Sequence, residues 1–183
     1  ESGARGADGT AEKTVALELA RLIAGKLQRT EVAGLARASK ADIDRALALS
    51  RQFDTPHFKT DVFKFFADEV IEEETAYLLT PYTHRSDGWR GLKDWDNDAL
   101  LAAFTQVHEA GGQVHVHTIG DGAVRYVLDV LEALKQKTDP ACWDRRPTLA
   151  HLQLVHPDDF RRMAAMDVTA ATDRSPASIA QPA

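Results

Sequence analysis

The chain has 183 residues, 44% of them hydrophobic and 27% charged, an ordinary globular composition and enough length for a domain with a real core. A net charge of −6 and the absence of a basic block argue against nucleic acid as the main partner. The single cysteine, Cys142, excludes an intrachain disulfide, and no apolar run approaches the roughly 20 residues that span a bilayer. No membrane partner and a cytoplasmic home are therefore the expectation.

Residues 1–10, ESGARGADGT, are small, polar and glycine-rich and resemble no signal peptide, reading as a disordered end or the remnant of a longer loop, and without an initiator methionine the chain is expected to begin inside a longer gene product. From Ala11 to Leu27, Val15, Leu19, Leu22 and Ile23 recur at helical spacing. EVAGLA, Glu31 to Ala36, has the pattern of a short strand. Ser39 with Asp42 three residues on makes a capping box for a helix over Lys40 to Phe53. Residues 1–35 are accordingly taken as an N-terminal loop and helix, and 36–183 as the α/β core.

Beyond Pro56 the run Val62 to Ala67, inside DVFKFFADEV, is apolar and aromatic apart from Lys64. A lysine in a buried strand must be paired, neutralised or modified; on an edge strand it faces water instead. Both explanations stay open on these residues. Glu72 to Glu74 read as a solvated loop or helix end, and Thr80 to Gly91 as a loop whose Trp89, with Trp95 beyond it, folds over a site. Asp96 or Asn97 caps a helix to about Glu109, closed by Gly111.

Gln113 to Ala123, QVHVHTIGDGA, then combines a strand, a Gly-Asp-Gly turn and the start of a helix. Alternation puts His115 and His117 on one face, with His117 at the strand's carboxyl end, and places Asp121 to cap the next helix. Three readings stand beside one another: a core histidine pair, a metal site, and an anion cradle at a helix N-terminus. Val124, Val127, Leu128, Leu131 and Leu134 then form a broad apolar stripe to about Lys137. PTLAHLQLV reads as a further strand bearing His151, His156-Pro157 opens a helix through Met166, and Val168 to Thr172 forms the next strand.

Strands alternating with helices from Val62 onward imply a parallel sheet, either doubly wound and open or a (β/α)8 barrel. A full barrel takes about 250 residues, so only part of one would be present here.

Three ordered motifs, FKFFADEV, QVHVHTIGDGAV and TLAHLQLVHPDDFRRMAAMDV, with TAYLLTPY between the first two, resemble the amidohydrolase superfamily, in particular its YtcJ-like branch (amidohydrolase family 3) that includes N-substituted formamide deformylases. The resemblance covers about Ala36 to Val168. It implies a TIM (β/α)8-type metal-dependent hydrolase barrel, partly represented in this chain, acting on the C–N bond of an amide, N-acyl or N-formyl small molecule through a metal-activated water. By the same resemblance Lys64 is the carbamylated lysine bridging metal ions, His117 and His151 are metal ligands, and Asp173 is the general base. His115 would lie beside the ligands or in the core. The metal would be Zn, one or two ions, with Fe, Co, Ni or Mn as substitutes.

The departures from the family pattern are specific. No His-x-His pair precedes Lys64, where His57 is the one histidine in that region; Glu69 stands where glycine is usual and Gly122 where arginine is common. A catalytically silent barrel fragment serving as scaffold or binding protein is therefore the alternative expectation. Exposed strand edges on a partial barrel also imply self-association into a homo-oligomer.

Overall fold

The computed structural model describes residues 40–53, 61–143 and 146–172. The expected helix at Ala11 to Leu27, the strand at Glu31 to Ala36, His57 and Asp173 lie outside them. Among the described residues no helix is long and apolar enough to cross a membrane.

Helix α1 (Lys40–Phe53) precedes strand β1 (Val62–Phe66), followed by α2 (Asn97–Glu109), β2 (Gln113–Thr118), α3 (Asp121–Lys137), a short 3-10 turn (Pro140–Cys142), β3 (Thr148–His151), α4 (Pro157–Ala165) and β4 (Thr169–Ala171). The four strands form one parallel sheet in the order β1-β2-β3-β4. Doubly wound sheets reverse direction at a switch point and carry helices on both faces. Sequential order with helices along one face is instead the winding of a (β/α)8 barrel, and the described strands make an open arc of one.

Alternation along the strands divides the two faces. Phe63, Phe65, Val114, Val116 and Leu149 are buried in one core with Leu100, Phe104 and Val107 of α2 and Val124, Leu128 and Leu131 of α3. Phe65 meets Phe104 and Trp95 edge to face, with centroids 5.1 and 5.9 Å apart. On the opposite face Lys64, Phe66 and His115 are half-buried, and Val62 is 44% exposed. Lys64 therefore lies on the face that a closed barrel turns inward, in the strand at one end of the described sheet.

Local chemistry sets the element ends. Asp96 caps α2 by accepting from Ala99 N at 2.8 Å, and His156 caps α4 through the Asp158 amide. Gly111, at φ 85°, ends α2 where only glycine relaxes easily. Two sequence expectations are corrected. Asp121 does not cap α3, whose N-cap is Gly120; its carboxylate accepts from Leu79 N at 2.9 Å and ties down the β1–α2 loop instead. Trp95 does not fold over a site: it is buried on the helix side, with its indole N–H donating to Phe66 O at 3.0 Å. The strand read into PTLAHLQLV is also short, because His151 (φ 75°) and Leu152 (φ 50°) leave the extended region.

The β1–α2 loop lies directly on the start of α3. A Cβ at Gly120 would come within 2.0 Å of Tyr77 O, and backbone cannot yield as a flexible side chain does. Gly120→Ala is expected to destabilise the chain by about 2–3 kcal/mol, read as a lowered urea midpoint with unchanged slope.

Candidate metal centre

The carboxyl ends of β1, β2 and β3 meet at an assembly organised by Asp68, which is fully buried. Its Oδ1 accepts from Ile119 N at 2.9 Å, and its Oδ2 from Gly120 N at 2.8 Å and Tyr77 N at 2.9 Å. The anion cradle anticipated at the Gly-Asp-Gly turn thus exists, and the chain's own carboxylate fills it. Sequence reading assigned Asp68 no role; the signal available was an aspartate immediately after a buried strand, facing a glycine turn across the sheet. Burial drives its pKa up to about 7 against the pull of the three donors.

His117 stands at the end of β2 beside this cradle, 9% exposed and stacked on Phe66 with ring centroids 5.0 Å apart. Its Nε2–H donates to Glu69 O at 2.9 Å and lies 4.0 Å from Asp68 Oδ1. That bond fixes the tautomer and leaves the Nδ1 lone pair available to a metal. Burial, with the neighbouring His151 and Lys64, draws its pKa down to about 4, so the ring is neutral near neutrality as a ligand must be.

His151 reaches the same place by a different device. By strict alternation from Leu149 it would face the helices, but its left-handed backbone turns the ring onto His117, edge to face at 4.7 Å. The segment beyond it is held along β2 by Leu152 N to Thr118 O at 2.9 Å and Leu154 N to Ile119 O at 3.0 Å. Lys64 pairs in register with His115, its ammonium 5.6 Å from the Phe66 ring centroid. Its charge also helps to lower the His115 pKa, although burial contributes more.

Three of the four residues anticipated from sequence, Lys64, His117 and His151, are therefore brought together with His115, and Asp173 lies outside the described residues. The donor set suits a divalent ion in chemistry, with the neutral His117 imidazole and a second imidazole beside it. Among the described residues, however, no group of three or more His, Cys, Asp and Glu side chains converges tightly enough to hold a metal. Further ligands would have to come from elsewhere.

A parallel β/α arc with imidazoles at its strand ends and a lysine midway along β1 belongs to the class of (β/α) barrels. In fold the chain is similar to an uncharacterized metal-dependent hydrolase from Pyrococcus furiosus, with a TM-score of 0.58 and 23% identity over 70% of this chain and 26% of that one. A second such structure, from Pyrococcus horikoshii OT3, matches with a TM-score of 0.52 and 24% identity over 60% and 21%. The sequence model of the amidohydrolase family matches residues 8–178, and the chain belongs to that family.

Within it the similarity extends to the putative amidohydrolase YtcJ of Bacillus subtilis, 30% identical over 125 residues, which are 68% of this chain and 22% of the relative. The exoenzymes regulatory protein AepA of Pectobacterium carotovorum is 29% identical over 132 residues, 72% of this chain and 27% of that protein. The chain thus spans about a quarter of the length of these curated relatives.

Linkage gives this site a pH signature in metal-free protein. Asp94, near the end of β1, is pushed up to about 7 by burial and by the charge of Glu69. A carboxyl raised in the folded state contributes stability below its unfolded value near 4, and that contribution is lost as pH rises through 7. His117, depressed to about 4, contributes in the opposite sense: its share is lost as pH falls from about 6.5 to 4. Asp94→Asn is expected to flatten the alkaline decline and His117→Gln the acid one, each by about 1–4 kcal/mol in urea unfolding across pH.

Proposed function

We propose that this chain carries the lysine and strand-end histidine portion of a metal-dependent amidohydrolase that hydrolyses a C–N bond in an amide, N-acyl or N-formyl small molecule. The observation supporting it most is the meeting of His117 and His151 at the carboxyl ends of adjacent parallel strands, where barrels of this type keep their chemistry, with Lys64 on the same face midway along β1. The bond from His117 Nε2 to Glu69 O adds to it, because a ligating imidazole is normally oriented by such a carbonyl.

In this proposal His117 binds through Nδ1, His151 through its ring, and Lys64 through the oxygen of a carbamate on Nζ. Zn is the first candidate, with Fe, Co, Ni or Mn acceptable to the same donors. A bound divalent ion supplies a Lewis acid toward the scissile carbonyl and lowers the pKa of water. Phe66, stacked on His117, screens the imidazole from bulk solvent and holds its plane. Asp173 is assigned the proton from the attacking water.

Metal content by plasma mass spectrometry, on protein prepared without chelator, tests the proposal directly. Roughly one or two equivalents of a transition metal are expected, lost in Lys64→Ala and His117→Ala, with hydrolysis of N-acyl amines following metal content. An absence of metal after reconstitution with zinc and bicarbonate would leave the chain a silent barrel segment acting as a scaffold.

The same arc has consequences for assembly. β1 and β4 each have one strand neighbour in the described sheet, and Val62 is exposed on the inward face. The isolated chain is expected to self-associate at micromolar concentration in light scattering; a monodisperse monomer would contradict this.

A further inference from the structure

Asp94 is 7% exposed, and its Oδ1 is the one buried side-chain polar atom without a hydrogen-bond partner among the described residues. As an anion, a buried carboxyl in that condition is unfavourable by several kcal/mol unless it takes up a proton or a group outside the described residues satisfies it. The neighbouring cations are engaged elsewhere. Lys93 Nζ bonds Asn97 Oδ1 at 2.7 Å and lies 4.7 Å from the Tyr126 ring centroid, and Arg90 Nε donates to Leu78 O at 2.8 Å.

The position of Asp94 is tightly set. Its backbone N donates to Ala67 O at 3.1 Å, and the next residue, Trp95, donates its indole N–H to Phe66 O. Both bonds fasten Asp94 to the carboxyl end of β1, the end from which Glu69 sends its carbonyl to His117. The Glu69 carboxylate has no hydrogen bond or ion pair among the described residues, and its charge acts on Asp94. Asp68, the third acid nearby, is satisfied by its three amides. Two carboxyl groups that no cation among the described residues meets therefore lie at the β1 end whose Glu69 carbonyl holds His117.

We propose that Asp94 and Glu69 receive a protonated amino group carried by the substrate, remote from the scissile bond, so that the preferred substrates are N-acyl compounds bearing a second, cationic amine. The inference rests on the hydrolase reading and names its substrate class. An organic ammonium suits the place better than a metal ion, since it needs two acceptors and negative charge, and no cluster of three ligating side chains exists among the described residues. The location at a strand's carboxyl end, where substrate groups dock in such barrels, agrees.

The test compares two probes of equal length: monoacetylated diaminobutane, with a terminal ammonium, and N-pentylacetamide, with a methyl in its place. Calorimetry on the intact chain reads binding, and amine release reads turnover. Wild type is expected to bind the ammonium compound about tenfold tighter or more, and Asp94→Asn and Glu69→Gln to bring the two affinities together. Circular dichroism verifies that both variants fold, and the half-buried Glu69 supplies an independent variant.

Equal affinities in wild type, a preference unchanged in both variants, or no binding of either probe would overturn the inference. Preferential binding without turnover supports the amine subsite while counting against the hydrolase reading. Turnover of both probes at equal kcat/KM overturns the subsite and leaves the hydrolase reading standing.

Discussion

The Asp68 carboxylate is the constraint on which the mouth of this sheet depends. Three backbone N–H groups, one from the β1–α2 loop and two from the turn between β2 and α3, would otherwise end buried without acceptors. One side chain satisfies all three and joins segments 9, 51 and 52 residues away in sequence. The loop at Tyr77 then lies against Gly120 so closely that no Cβ fits, and Ala123 N donates to Tyr77 O at 3.1 Å. Charge at the start of α3 is favourable for the helix as well, since its N-terminal end carries partial positive charge.

From that anchor the position of the imidazoles follows. The turn after β2 is fixed by Asp68, so the last residues of the strand, His117 and Thr118, are fixed with it. Glu69 immediately follows Asp68, and its carbonyl accepts the hydrogen bond from His117 Nε2–H. One short segment, Ala67 to Glu69, therefore closes the ladder through Ala67 N to His117 O, cradles the turn and orients the ring. Farther out, Arg125 and Arg162 converge on the fully buried Asp159 of α4, at 2.8 and 3.2 Å, holding α4 against α3. That pairing sets the far end of the loop that begins at His151.

What the sequence disclosed and what it hid divide along physical lines. Periodicity and caps located α1, α2, α3 and α4 to within a residue or two, because apolar stripes and capping residues are local properties. The face shared by His115 and His117 was equally legible, since alternation along a strand is local too. His151 was found by resemblance to the family, whereas its approach to His117 depends on a left-handed backbone that no pattern announces. Asp68 and Asp94 were not singled out. An aspartate after a strand or in a loop usually faces water, and only the packing of distant segments makes these two buried and consequential.

Charge balance then bears on what the site can hold. Lys64 and three histidines gather on the inward face, and Asp68, whose Oδ1 lies 4.0 Å from His117 Nε2, is occupied with amides. Two neutral imidazoles offer a dication lone pairs but no compensating charge, and an ammonium beside them would repel it. The carbamate proposed on Lys64 would reverse that charge and supply oxygen donors at the same point. At the carboxyl end of the same strand, Asp94 and Glu69 are carboxyl groups that no cation among the described residues meets.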